Sequence, residues 1–257
     1  ESRRINCADY KNNICVHLSI ISMNMKISVF SIPSIPLGKH NIKDSRLDQV
    51  DNIVKAKKKT YVQVELIGQG AVLDADAILA LKDSRADLVL KDLEFIETRS
   101  ANATEESEKA LLNKLKTILE KEEFIFNTTL NEEEKRNISV YGLATVKPIV
   151  LVEEKDLDDL NGLLARCLRD AGFISFLTAG ERESRAWLIK KGTTAWEAAG
   201  SVHSDIQRGF IRAEIISFND FIQAGSEAGA KQSGKVRLEQ KDYLMQDGDW
   251  ANFRFNK

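Results

Sequence analysis

Apolar positions recur along this chain in two periods. The segment from Lys26 to Ile32 is apolar and rich in β-branched residues, the pattern of a strand. The run Pro33-Ser34-Ile35-Pro36-Leu37-Gly38-Lys39 breaks it, because proline removes backbone donors and fixes φ. Leu47, Val50, Ile53 and Val54 then repeat at helical spacing behind Asp44 or Ser45, either of which caps a short helix. Lys55 to Lys59 reads as a basic turn. Tyr61 to Ile67 alternates β-formers with polar residues, a second strand closed by Gly68-Gln69-Gly70. The spacing of Leu79, Leu88, Leu93 and Ile96 predicts a helix over 74–99, with Ser84 as an interruption. A second helix runs from the acidic start at Thr104-Glu105-Glu106 to about Phe126, with Leu111, Leu112, Leu115, Ile118 and Leu119 on one face. The two are expected to pair as an antiparallel hairpin. A helix over 131–143, a buried strand over 148–152 and a helix over 156–171 ended by Gly172 follow.

From Phe173 the texture changes. Glycines recur and short strands replace long helices. Strands are expected at 173–179, 185–189, 210–216, 244–245 and 250–255, with a short helix at 194–201 and a tight turn at Asp247-Gly248-Asp249. The boundary falls near residue 172. Three parts result: an N-terminal extension over 1–24, an α/β part over 25–172 holding the hairpin at about 74–126, and a last domain over 173–257.

Composition bounds the function. The chain has 257 residues, 43% hydrophobic, with a net charge of −2, so a bulk basic field for nucleic acid is absent and any such contact must come from a local patch. Cys7, Cys15 and Cys167 are odd in number and widely spaced, which argues against a disulfide framework and against a zinc site and places the chain in a reducing cytoplasm. No stretch reaches the length of a membrane span. The apolar run Ile14 to Ile21 weakly mimics a signal peptide but is short and broken by His17. Met25 reads as a natural start, with Met23 as an alternative, and residues 1–22 as an upstream extension.

The last third carries an ordered set of short motifs. They are Phe176-Leu177-Thr178-Ala179-Gly180, Arg185-Ala186-Trp187, His203-Ser204-Asp205, Gly209-Phe210-Ile211-Arg212-Ala213-Glu214, Asp220-Phe221-Ile222, Gly229-Ala230-Lys231, Lys241-Asp242-Tyr243, Gln246-Asp247-Gly248-Asp249 and Phe253-Arg254-Phe255-Asn256. In this order and spacing they resemble the TGS domain that closes YchF (Obg-like) ATPases. Asp44-Ser45-Arg46-Leu47-Asp48, Ile53-Val54-Lys55 and Lys147-Pro148 extend the resemblance upstream. It implies an α/β fold: a reduced P-loop-type remnant with a helical hairpin, followed by a ubiquitin-like β-grasp domain. It also implies a place among translation-associated GTP-binding proteins.

The nucleotide chemistry of that family needs a glycine-rich loop ending in Gly-Lys-Ser/Thr, whose N–H groups cradle phosphates while the hydroxyl holds Mg²⁺. Here Gly38-Lys39 survives as a remnant, His40 stands where the hydroxyl should be, and two prolines remove donors. The Asp of switch II is replaced in Ile67-Gly68-Gln69-Gly70, and Glu153-Glu154 stand where the base-specificity Asn should be; acids do not reproduce an amide's hydrogen bonds. Three sites failing together point to loss of catalysis, with no catalytic residue, metal or cofactor expected. ATP or GTP with Mg²⁺, weakly bound or hydrolysed, is the alternative. Cys167 reads as a small buried hydrophobe, and His203-Ser204-Asp205 as a cap and turn rather than a triad. The candidate RNA contacts are Lys190, Lys191, Arg208, Arg212, Lys231, Lys235 and Arg237. The expectation is a non-catalytic module for RNA, the ribosome or a protein partner, without membrane contact.

Overall fold

A computed structural model describes residues 25–256. The expected extension over 1–24, with Cys7, Cys15, His17 and Met23, lies outside the described residues. Two sheets organise the molecule.

The first sheet begins with β1 (Met25–Phe30), β2 (Gly38–Ile42) and, after helix α1 (Ser45–Val54), β4 (Val62–Gly68); the two-residue β3 (Lys59–Thr60) just before β4 belongs to the second sheet. Asp44 caps α1 by accepting from the Arg46 amide, as its sequence position suggests. A 3₁₀ turn over Gln69–Asp74 leads into β5 (Ala77–Leu81). Helices α2 (Arg85–Asn102) and α3 (Glu106–Glu120) pack on each other, α4 (Glu132–Ile138) follows, and β6 (Ile149–Val152) completes the sheet before α5 (Leu160–Asp170). The strand order is β2-β4-β1-β5-β6, antiparallel between β2 and β4 and parallel elsewhere.

The second sheet comprises β7 (Phe173–Ala179), β8 (Ser184–Lys190), β9 (Phe210–Ile216), β10 (Arg237–Glu239) and β11 (Trp250–Phe255). Between them lie α6 (Ala195–Val202), α7 (Ser204–Arg208), α8 (Phe218–Ala224) and α9 (Glu227–Gln232). The order is β10-β9-β11-β7-β8-β3. A β7–β8 hairpin, the crossing helix α6 and a last strand running parallel beside β7 form the expected β-grasp arrangement. Strand β3, from the first part of the chain, adds to the outer edge of β8.

Several expectations are corrected. The predicted helix over 74–99 contains a strand: Ala77-Ile78-Leu79-Ala80-Leu81 is β5, and the helix begins only after the buried Ser84. A continuous apolar run suits a parallel strand covered on both faces. Accordingly Ile78 and Ala80 join Leu88 and Ala144 in one cluster, while Ala77 and Leu79 join Leu164 and Cys167 in another. The hairpin therefore starts at Arg85 rather than near 74, and α3 ends at Glu120 instead of reaching Phe126. The helix expected over 131–143 shrinks to α4, set by a capping box between Asn131 and Glu134. The helix expected over 156–171 splits into a 3₁₀ turn and α5, where Asp159 caps the Gly162 amide. The strand expected at 244–245 is a single bridge between Thr194 and Leu244. Strands β2, β3 and β10 were not legible in the sequence.

The largest core cluster does not stop at residue 172. Met25, Ile27 and Leu66 of the first sheet share it with Leu177, Ile216 and Trp250 of the second. Trp250 is buried and stacks on Phe221 with ring centroids 5.4 Å apart. A second cluster, around Ile96, Leu112 and Leu115, holds the helical hairpin.

Candidate functional site

In open α/β sheets ligands bind beyond the carboxyl ends of the strands. That edge is formed here by the segment after Phe30, the turn after Gly68, the start of α2 and the segment after Val152. After β1 the chain passes through Ser31 to Leu37 straight into β2, the edge strand on the far side of β4, with no helix between β1 and β2. Gly38 and Lys39 pair with Leu66 and Glu65 of β4. Gly38 takes φ +116°, a conformation natural to glycine, as it begins this strand. His40 Nε2 lies 2.8 Å from the Pro36 carbonyl oxygen. Gln69 accepts from the Ser31 amide at 3.3 Å, closing the two loops on each other.

At the far end of the same edge Glu153 binds Lys155 and Lys82. The Lys155 and Lys82 ammonium groups hold its carboxyl down at about 2. Glu153 is thus an ionised side chain saturated by two cations. The Lys147 ammonium is likewise committed, donating to the carbonyls of Val72, Leu73 and Ala75, and the desolvation this entails lowers its pKa.

Most of the candidate RNA contacts are held by carboxylates. Arg208 is paired with Asp205, Lys231 with Glu227 at 2.6 Å, and Lys235 with Asp220 at 3.0 Å. Arg237 lies 3.5 Å from the buried Asp249 and donates to the Tyr243 hydroxyl at 2.9 Å. Among the described residues Lys190, Lys191 and Arg212 have no carboxylate within ion-pair distance. Arg212 sits on β9 opposite Arg254, whereas Lys190 and Lys191 lie at the end of β8. His203 is a cap: its Nδ1 accepts from the Asp205 amide at 3.1 Å. Cys167 is fully buried in α5, where burial pushes its thiol up to about 12.

The structure adds two features that sequence reasoning missed. One is a groove lined by Trp187, Val202, Ile206 and Phe255, with Arg185 stacked 4.0 Å over the Trp187 ring. The other is a cleft of about 720 Å³ between the two sheets, whose lining includes Lys43, Arg46, Arg169 and Lys191. Neither has a local signature, because each is assembled from segments far apart in sequence. The Arg185-x-Trp187 spacing on a strand, which puts both on one face, was the only hint.

Together these features define a two-sheet α/β protein: a largely parallel sheet with a helical hairpin, fused through a shared core to a β-grasp unit. A family profile for the YchF-type GTPase C-terminus, described as a protein of unknown function (DUF933), matches residues 173–256. The chain is 31% identical over 246 residues to the ribosome-binding ATPase YchF of Bacillus subtilis, covering 70% of this chain and 67% of that protein. It is 56% identical over 82 residues to the protein of the same name from Pasteurella multocida, a match spanning 32% of this chain and 23% of that one. The YchF GTPase structure from Schizosaccharomyces pombe superposes with a TM-score of 0.73 at 18% identity, covering 90% of this chain and 98% of that chain. The chain belongs to the YchF family. Among the described residues no helix is long and apolar enough to cross a membrane.

Proposed function

We propose that this YchF-family chain is a non-catalytic, cytoplasmic binding protein of the translation machinery, with the ribosome and its RNA as partner and residues 173–257 acting as a TGS domain. The observation carrying the reading is the carboxyl edge of the first sheet. Strand β2 follows β1 with no helix between them, and Gly38 and Lys39 belong to a strand ladder. A phosphate cradle needs N–H groups free to point at the ligand, usually at a helix N-terminus. The relatives' names supply the partner: they are called ribosome-binding ATPases. Residues 173–256, over which the family profile matches, keep a complete β-grasp sheet. Lys190, Lys191 and Arg212 are the first candidates for phosphate contacts, being free of carboxylates among the described residues.

Two measurements test this. Isothermal titration with ATP and with GTP in Mg²⁺, sensitive to millimolar binding, is expected to give no heat. Sedimentation with ribosomes is expected to carry the protein into the pellet, with binding that weakens as salt rises. One-to-one nucleotide binding abolished by Lys39→Ala would overturn the non-catalytic reading in favour of a retained ATP or GTP site. Salt-insensitive association with a protein and none with ribosomes would replace the RNA partner by a protein.

A further inference from the structure

The cleft between the sheets is not explained by ribosome binding. Its walls mix polar groups with an apolar part from Ile42 of β2, Val62 of β4, Leu168 of α5 and Phe173 and Leu188 of the β7–β8 hairpin. Arg46 is part of the lining, and its guanidinium is already engaged: Nη1 donates to Asp247 at 2.8 Å, and Nη2 to Asp44 at 2.8 Å and to Ser175 at 3.1 Å. It is a fixed piece of wall rather than a free cation.

Three other cations line the same cleft. Lys43, Arg169 and Lys191 are exposed, and each comes from a different segment: the end of β2, the end of α5 and the turn after β8. Arg169 lies 3.9 Å from Asp170, a loose contact; Lys43 and Lys191 have no carboxylate within ion-pair distance among the described residues. Four cationic side chains against Asp44 and Asp247 leave the lining with an excess of two positive charges, on a chain whose net charge is −2. A concave, mainly apolar site of several hundred Å³ with a few convergent charges is the usual form of a small-molecule site, and such sites favour junctions between structural units.

We infer that this cleft binds a small anion carrying an apolar body. The body lies against Ile42, Leu168, Phe173 and Leu188, and the anionic group faces Lys43, Arg169 and Lys191. Because the walls come from both sheets, occupancy clamps their junction and raises the unfolding temperature by mass action.

The test uses the full chain and two fluorescent probes with the same aromatic body: anilinonaphthalene sulfonate, which is an anion, and phenylnaphthylamine, which is neutral. The sulfonate is expected to bind saturably at one site, about tenfold more tightly than the neutral probe, as two solvent-facing ion contacts allow. The double variant Lys43→Ala/Arg169→Ala, which leaves the proposed phosphate contact Lys191 in place, is expected to lose that tenfold preference while keeping the neutral probe's affinity and the wild-type unfolding temperature. Ala165→Phe, which fills the cleft from α5, is expected to abolish both. Equal affinity of the two probes for the wild type, or unchanged sulfonate binding by the double variant, overturns the inference. The double variant changes only exposed side chains, so the test stands even if Ala165→Phe does not fold. Ribosome sedimentation of the same variants keeps this result separate from the proposed function.

Discussion

Replacing Arg46 by methionine keeps most of the apolar stem and removes a guanidinium that ties α1 to the second sheet. The magnitude follows from the three partners of that guanidinium. Asp44 is only 17% exposed and receives Nη2 at 2.8 Å and Nε at 3.1 Å, so that arm behaves as a partly buried charge-assisted pair, worth roughly 1.5–2 kcal/mol. Asp247 is 52% exposed, and its 2.8 Å contact is discounted to about 0.5 kcal/mol by solvent screening. The 3.1 Å bond to Ser175 adds about 0.5 kcal/mol. Asp44 keeps its capping bond, which comes from a backbone amide, so the helix start survives. Arg46→Met should therefore cost about 2–3 kcal/mol, or a fall of roughly 5–10 °C in Tm for a chain of this size. Urea unfolding followed by tryptophan fluorescence and by circular dichroism measures it. Because one core cluster spans both sheets, the two signals should move together in both proteins. Double-mutant cycles should give a coupling of about 1.5 kcal/mol with Asp44→Ala and about 0.5 kcal/mol with Asp247→Ala. A total destabilisation below about 0.5 kcal/mol, or a larger coupling to Asp247 than to Asp44, would refute the assignment of the partly buried arm as the stronger one.

Asp92 is 4% exposed and accepts from the amides of Ala144 and Thr145 and from the Thr145 hydroxyl, so Asp92→Ala strands two buried N–H groups. It should cost about 2–4 kcal/mol and speed amide exchange at 144 and 145 first; uniform exchange across the hairpin would contradict it. Cys167 should resist alkylation in the native state, tested in a variant with Cys7 and Cys15 replaced by serine; rapid native labelling would contradict its burial. The same thiol gives a pH dependence. Its folded pKa is raised from 9.0 to about 12, so its contribution to stability is fully present below pH 9 and is lost as pH climbs from there towards 12. Cys167→Ala should flatten that alkaline fall.

Much of the secondary structure was legible because local signals agreed with it. Asp44 ahead of the Leu47/Val50 spacing marked α1, and the apolar, β-branched run at 26–32 marked β1, which the structure sets at Met25–Phe30. Short runs rich in aromatic residues, 173–179 and 250–255, marked β7 and β11. Failures occurred where one pattern serves two structures. Ala77 to Leu81 is apolar at every position, which fits a buried strand or a helix, and only flanking strands β1 and β6 on either side decide it. Gly38 to Ile42 has no strand-like alternation at all; it is a strand because β4 offers it a free edge.

What the sequence determined by itself was therefore local: caps, most strands, the helical face of α3, and the ordered motifs of the last third that mark the family. The tertiary structure decided the rest. It set Gly38 and Lys39 in a ladder with β4, tied four of the seven candidate RNA cations to carboxylates, and brought Lys43, Arg169 and Lys191 to one cleft. The physical reason is range. Capping and periodicity act over one or two turns of chain, whereas ion pairing and cavity lining depend on which distant segments the shared core brings together.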